Sequence, residues 1–242
     1  MTLFQFGAAS VIVAVGAALQ GTIGFGLALV SAPLLLLVDP RLVPGPLLCA
    51  SGLLTVLMAR RDWASVQGED LTWSIGGRVA GTVAALAVLT VMSAGAVDLL
   101  FGALILLGVA LSASGVHLRP APRVLIAAGA LSGFMGTLTS IGGPAIALVY
   151  QHEPGPRIRG TLSAFFVVGV VISVAGLAAI GRFGREELVL GATLLPGIVI
   201  GYLASHRTAG ALDQGYIRPA VLVVSAAAAI AVILRDLWVR FG

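Results

Sequence analysis

The stretch Gln20-Gly21-Thr22-Ile23-Gly24-Phe25-Gly26 interrupts an apolar block that runs over residues 3–38. As one helix, this block would be about 54 Å long at 1.5 Å per residue, whereas the hydrocarbon core of a bilayer is about 30 Å thick. Glycine is a poor helix former, so we predict that the backbone breaks here. In lipid, such a break is tolerated only where it is buried in protein or lines a watery cavity.

A second interruption of the same kind lies in the apolar block over residues 124–150. It reads Gly133-Phe134-Met135-Gly136-Thr137-Leu138-Thr139-Ser140-Ile141-Gly142-Gly143-Pro144. Like the first, it is rich in residues that do not favour a helix interior, and we predict a second backbone break within it.

The two interruptions belong to a duplication of the whole chain. Features of the first half recur in the same order in the second: Gly21 and Gly24 match Gly133 and Gly136, Pro33 matches Pro144, Pro44-Gly45-Pro46 matches Pro154-Gly155-Pro156, and Gly77 and Gly81 match Gly197 and Gly201. We predict repeat 1 over residues 1–118 and repeat 2 over residues 119–242.

The composition is that of an integral membrane protein. Of 242 residues, 59% are hydrophobic and 10% are charged, against roughly 45–50% and 25% in soluble domains. Besides the two broken blocks, polar connections separate apolar blocks of single-span length, which lie over 42–59, 71–92, 97–116, 160–180, 188–205 and 217–238. No connection is long enough to hold a soluble domain.

We therefore predict an all-α polytopic membrane protein in which each repeat has a re-entrant, Gly-rich broken hairpin followed by three transmembrane helices. An odd number of crossings per repeat inserts the second repeat upside down, and inverted repeats of this kind recur in secondary transporters. Two short passes per long block would also give an odd number. One tilted pass would instead give four crossings and parallel repeats.

The arginines lie almost entirely in or beside the connections, so the net charge of +4 does not indicate nucleic-acid binding. In both topologies one membrane face carries more arginines than the other. By the positive-inside rule the termini then lie outside in the odd model and inside in the four-span model. The charge pattern does not choose between these orientations.

Arg78 is the one ionisable residue well inside a predicted span. A charge at that depth costs several kcal/mol unless it faces protein or water, and it marks a ligand site or pathway by default. Its guanidinium fork suits a carboxylate or sulfonate. The alternative is a structural arginine that reaches the near interface or pairs with a carbonyl group.

The two breaks are the second candidate for a binding site. Helices that restart after Gly26 and after Gly143 would direct unpaired N–H groups and positive dipole ends at one central region. We predict a substrate site from Gln20, Gly21, Thr22, Gly24, Gly26, Arg78, Gly136, Thr137, Thr139, Ser140, Gly142 and Gly143. We assign structural roles to Pro33 and Pro144 and, in close helix packing, to Gly77, Gly81, Gly197 and Gly201.

The sequence contains no sign of an enzyme, a cofactor or a metal site. No Asp or Glu lies in the middle of a predicted span, which argues against an acidic proton relay or cation site. The motifs HExxH, GxSxG and Walker A are absent. A central site with one arginine and positive helix ends, without carboxylates, favours an anion.

The chain resembles the TauE/SafE sulfite exporter family of bacterial inner-membrane proteins. The resemblance rests on three stretches: 20–26 followed by Pro33-Leu34, Gly133 to Pro144, and Pro196-Gly197-Ile198-Val199-Ile200-Gly201. It implies transport, usually outward, of small anions such as sulfite, organosulfonates or carboxylates. The chain departs from the family pattern at Thr137-Leu138-Thr139-Ser140, where many members have more glycine.

The leading hypothesis is a multi-pass secondary transporter of the bacterial inner membrane that exports a small anion by alternating access between inverted repeats. An anion channel of the same architecture and a non-transporting membrane subunit are the competing hypotheses. The expected partners are the anionic substrate and the lipid bilayer, and small-residue helix faces permit a homodimer.

Overall fold

The computed structural model describes residues 1–66, 68–92, 94–116, 118–150 and 153–208, and after residue 208 it describes residues 222–223, 225–228, 230–231 and 234. In these parts of the chain every regular element is helical. The α-helices are α1 (Leu3–Ile23), α2 (Leu27–Val38), α3 (Gly45–Arg61), α4 (Gly68–Val91), α5 (Ala94–Ala113), α6 (Pro122–Thr139), α7 (Gly143–Tyr150), α8 (Gly155–Ala179) and α9 (Arg185–Thr208). Short 3-10 turns lie at Pro40–Leu42 and Trp63–Ser65.

Several helices have the length and apolar composition of membrane spans. Within the described residues, four meet both criteria: Leu3–Ile23, Gly68–Val91, Gly155–Ala179 and Arg185–His206. Leu27–Val38 and Leu99–Ala113 are shorter apolar helices. The protein is therefore an all-helical, multi-pass membrane protein. The described residues of the predicted last span, 217–238, are helical too, and most of that span lies outside the described residues.

The first break lies in the stretch that the sequence predicts. α1 ends when Gly24 adopts a left-handed conformation, with φ of 105°, and its N–H donates to the Gln20 carbonyl at 2.7 Å. Gly26 has φ of 125°, and α2 begins at the next residue. Both conformations are strained for a residue with a Cβ atom, so the glycines allow the chain to turn here.

The second break is shorter than the interruption in the sequence. α6 continues through Gly133 and Gly136 and ends at Thr139, because Ser140 takes the left-handed conformation, with φ of 66°. The Ser140 hydroxyl donates to the Pro44 carbonyl at 3.0 Å, which holds the turn against the start of α3. Ser140 therefore ends α6 in the left-handed conformation in which Gly24 ends α1, whereas Gly136, which the glycine spacing matches with Gly24, lies inside the helix.

α2 folds back along α1 and forms a helical hairpin with it. Near the break, the Leu27 N–H donates to Gln20 Oε1 at 3.2 Å. Further from it, the Ser31 hydroxyl donates to the Ile12 carbonyl at 3.3 Å. At the far end, Gln5 Nε2 donates to the Val38 carbonyl at 3.2 Å. The long first block therefore begins and ends at the same end of the helix bundle. Pro33 is buried inside α2, whereas Pro144 lies in the first turn of α7.

Two helix pairs bring their backbones into direct contact through glycine. A Cβ atom at Gly77 or Gly81 of α4 would overlap the carbonyl oxygen of Ile126 or Ala130 on α6. The α1–α9 pair is built in the same way, because a Cβ atom at Gly201 would overlap a backbone carbonyl of α1 and one at Gly197 would lie 2.5 Å from another. Such close approach maximises van der Waals contact where lipid supplies no hydrophobic driving force.

α3 and α8 cross the interior between these two pairs and run in opposite directions. At the end of α3, the Asp62 carboxylate binds the Arg159 guanidinium near the start of α8, with Oδ2 to Nε at 3.2 Å. At the start of α3, Gly45 packs against Phe183, which follows the end of α8. The midpoints of α3 and α8 therefore lie beside each other, deep within the helix bundle.

We expect Gly81→Ala to destabilise the protein by about 1–3 kcal/mol, because its methyl group would displace α6. Gly76→Ala on the same helix is the matched control, since Gly76 is exposed and a Cβ atom there meets nothing within 4 Å. Thermal unfolding in detergent, followed by the intact fraction on size exclusion, measures both variants. Equal melting temperatures would contradict close α4–α6 packing.

Candidate functional site

Both breaks line one internal cavity of about 40 Å³, a space for a few water molecules. The break at Phe25 and Gly26 and the break at Ser140 to Gly142 contribute its walls, together with the first residues of α2 and α7. The middle parts of α3, α4 and α8 complete it through Leu48, Ser51, Thr55, Arg78, Phe166 and Val170. The cavity therefore lies halfway along the long helices.

Arg78 reaches this cavity from the middle of α4, where it is 2% exposed. Its Nη1 donates to the Ser132 hydroxyl at 3.0 Å, and that hydroxyl donates to the Gly142 carbonyl at 2.7 Å. The guanidinium carbon lies 5.1 Å from the centre of the Phe165 ring. These contacts connect Arg78 to the second break and hold it by an aromatic face as well.

Glycines make the space that the guanidinium occupies. A Cβ atom at Gly169 of α8 would overlap Arg78 Nε, and one at Gly142 would lie 3.0 Å from Nη1. Gly136 is similar, at 3.2 Å from Nη2. Gly133, one turn earlier on α6, faces the Arg78 carbonyl. Several glycines of different helices thus pack around one side chain.

The positive charge of Arg78 has no acidic partner within the described part of the chain. None of the ion pairs there includes Arg78, and its Nε is buried without a hydrogen-bond acceptor. An uncompensated buried charge is costly, and breaking a buried pair typically costs 3–5 kcal/mol. The site is therefore electrostatically incomplete and suited to an anion.

The two helix starts add further positive potential at the cavity. α2 begins at Leu27, and its first residues Leu27, Ala28 and Leu29 line the wall. The first N–H groups of a helix lack partners within the helix. Here the Gln20 side chain accepts one of them, from Leu27. α7 begins at Gly143, which also lines the cavity.

Half of the predicted substrate residues meet at this cavity. The lining includes Gln20, Gly26, Arg78, Ser140, Gly142 and Gly143. Gly136 lies directly behind the guanidinium.

The other predicted residues have different neighbours. Gly21 faces Ser205 of α9, and Gly24 packs against Ile158 and Arg159 of α8. The Thr22 hydroxyl donates to the Ala18 carbonyl at 2.9 Å, within its own helix.

The threonines of the second break also bond away from the cavity. Thr139 Oγ1 donates to the Met135 carbonyl and accepts the Ile141 N–H, so it stabilises the end of α6. The Thr137 hydroxyl joins Thr82 of α4, at 3.2 Å, to Ser173 of α8, at 2.9 Å. This buried polar contact ties three helices together.

Several cavity residues were not predicted from the sequence. Ser51 and Thr55 lie one turn apart on α3, and Phe25 and Phe166 add aromatic walls. Ser132 was missed although it bonds Arg78 directly. The sequence signal for Ser51 and Thr55 is their i, i+4 spacing, which places both hydroxyl groups on one face of a helix.

Ion pairs close the bundle beyond the cavity at the end of α3, which we call the Asp62 end. Asp62 Oδ2 binds Arg61 Nε at 3.0 Å and Arg159 Nε at 3.2 Å. Arg61 Nη2 also donates to the Gly21 carbonyl at 2.8 Å, just before the first break. This cluster therefore ties α3 and α8 to the end of α1.

A second cluster lies at the opposite end, which we call the Asp39 end. Asp39 accepts hydrogen bonds from the Arg41 guanidinium at 2.8 and 3.1 Å. These bonds hold the pKa of the Asp39 carboxyl below its usual range. Arg41 also lies 3.7 Å from Glu186 in the first turn of α9. Each end of the bundle thus has polar contacts between both halves of the chain.

Comparison with known proteins identifies the family of this chain. No curated protein and no solved structure matches the chain. The family model described as "Sulfite exporter TauE/SafE" matches residues 8–232, nearly the whole chain. The chain therefore belongs to the TauE/SafE sulfite exporter family, a family of membrane transport proteins.

Proposed function

We propose that this protein is a secondary transporter that exports a small sulfur oxyanion, such as sulfite or an organosulfonate, or a related carboxylate, across the bacterial inner membrane. The observation that carries the proposal is the buried, unpaired charge of Arg78 in a cavity formed by both helix breaks. Within the described residues, no acidic side chain pairs with Arg78, and no group of His, Cys, Asp or Glu side chains could hold a metal ion. An anion would complete the site.

The anion would occupy the space between the guanidinium and the helix starts. The Arg78 guanidinium would donate to the oxygens of the anion through the N–H groups that the bond from Nη1 to Ser132 leaves unused. The first-turn N–H groups of α2 would donate hydrogen bonds to another oxygen of the anion, as helix N-termini do in many anion sites. The small cavity suits a compact oxyanion head group rather than a bulky one.

The two halves would act as inverted repeats around this site. α1 begins at the Asp39 end, where Gln5 binds the Val38 carbonyl, whereas α6 runs toward that end and stops at Ser140, which binds the Pro44 carbonyl. The opposite directions of α3 and α8 support the same arrangement. Transporters with this plan expose a central site alternately to the two sides.

Alternating access requires the two ends to open in turn. The Arg61–Asp62–Arg159 cluster would separate when the Asp62 end opens. The Ser140–Pro44 hydrogen bond and the Arg41–Glu186 contact would separate when the Asp39 end opens. Export needs no coupling ion in principle, because a potential negative inside supplies about 2.3 kcal/mol per charge per 100 mV for anion exit.

We expect Arg78→Ala to lower saturable sulfite uptake into proteoliposomes about 30-fold or more at low substrate. Losing one partner of a buried charge pair costs about 2–5 kcal/mol, and each 1.4 kcal/mol is tenfold. Arg78→Lys keeps the charge but not the fork, and we expect an intermediate rate with a raised KM.

Arg60→Ala is the control, because Arg60 is exposed, and it should transport at the rate of the unsubstituted protein. Wild-type uptake by Arg78→Ala would refute the role of Arg78. Flux that never saturates and shows no trans-stimulation would identify a channel instead. Absence of flux for sulfite, sulfoacetate and a short carboxylate would favour a non-transporting subunit.

We expect Asp62→Asn to open the Asp62 end more often, because it removes the carboxylate that joins two arginines. Ser51→Cys reports access to the cavity, and Cys49→Ala removes the single native cysteine. A membrane-impermeant thiol reagent added from that side should react about threefold faster in Asp62→Asn. Glu69→Gln is the matched control, since Glu69 is exposed in the first turn of α4. Equal reaction rates in the Ser51→Cys protein and in its Asp62→Asn and Glu69→Gln variants would contradict the proposal.

A further inference from the structure

A second cavity adjoins the one that holds Arg78, and it has a different character. Its volume is about 120 Å³. Its walls come from Leu19 and Ile23 of α1, Ala147 and Leu148 of α7, Ile158 of α8 and Leu222. Ser112 is the one hydroxyl among its described lining residues. We call it the apolar cavity.

The apolar cavity shares one wall with the cavity that holds Arg78. Phe25, Gly26, Leu29 and Pro144 line both cavities. Phe25 fills the space between the two breaks, where its Cβ would lie 3.0 Å from a Cβ atom at Gly143. A ligand whose charged head lies at Arg78 would reach the apolar cavity past Phe25, which lies between the two cavities.

We propose that the apolar cavity binds the hydrocarbon tail of the substrate, so that the preferred substrate is an oxyanion with a short alkyl or aryl group rather than a bare inorganic anion. Apolar cavities of about 150 Å³ bind benzene and exclude water, and this cavity is of comparable size. The inference rests on the proposed function, because the head group is taken to bind at Arg78.

The contact chemistry on the two sides of Phe25 matches such a ligand. On one side are a guanidinium group, the Gln20 amide and the start of α2. On the other are leucine, isoleucine and alanine side chains, of which Leu19, Ala147 and Leu148 are buried. An acyl chain of a lipid could also enter an apolar cavity, but lipid binding would not account for the wall that this cavity shares with the anion site.

The test is direct binding of n-alkyl sulfonates, from methanesulfonate to hexanesulfonate, to the purified protein in nanodiscs by calorimetry. We expect Kd to fall about fourfold with each methylene until the cavity is filled. Sulfite uptake into proteoliposomes is measured in parallel, because it tests the proposed function alone. Methanesulfonate binding that is as tight as that of the longer sulfonates, together with sulfite transport, would overturn the tail site and leave the transporter standing.

Ala147→Leu should fill the cavity, which would remove the dependence of Kd on chain length. Ala127→Leu, at an exposed position of α6, should keep the dependence of the unsubstituted protein. Should Ala147→Leu fail to fold, Leu148→Ala enlarges the cavity and should move the tightest binding to a longer chain. A chain-length dependence that neither cavity variant alters would reflect partition into lipid and would overturn the proposal.

Discussion

A bilayer offers no hydrogen-bonding partner to a broken helix, and this constraint organises the molecule. The chain breaks twice, at Gly24 to Gly26 and at Ser140 to Gly142, and both breaks line the same cavity deep in the bundle. Backbone polar groups that lipid would leave without hydrogen bonds therefore lie together inside the protein. The same cavity receives the buried charge of Arg78, because it is where polar backbone is already concentrated.

Close glycine contacts make this arrangement possible. Gly77 and Gly81 bring α4 onto α6, so that Arg78 lies beside the second break. Gly169 of α8 leaves room for the guanidinium itself. The glycines around Arg78 thus have two physical roles: some bring helices together, and others provide the volume that a large charged side chain needs inside a packed bundle.

The cavity at Arg78 and the apolar cavity together suit the proposed ligand, which has an anionic head group and an apolar tail. One cavity holds an unpaired guanidinium and a helix start, and the other is nearly all hydrocarbon. Phe25 lies between them because it is part of the first break. The polar contacts at the Asp62 and Asp39 ends lie beyond this region, and in the proposed mechanism their separation would expose it to one side or the other.

The sequence by itself determined the helical membrane class, the two stretches that contain the breaks and the position of Arg78 well inside a predicted span, because apolar length, glycine content and an isolated charge act locally along the chain. It matched Gly24 with Gly136, whereas the fold ends α6 at Ser140, since a hydrogen bond to Pro44 from a distant helix stabilises the left-handed turn there. Tertiary structure alone decided that Thr137 and Thr139 bond away from the cavity, while Ser51, Thr55 and Ser132 belong to the site. Those outcomes depend on which helix faces meet, and that is set by close packing between residues far apart in the chain.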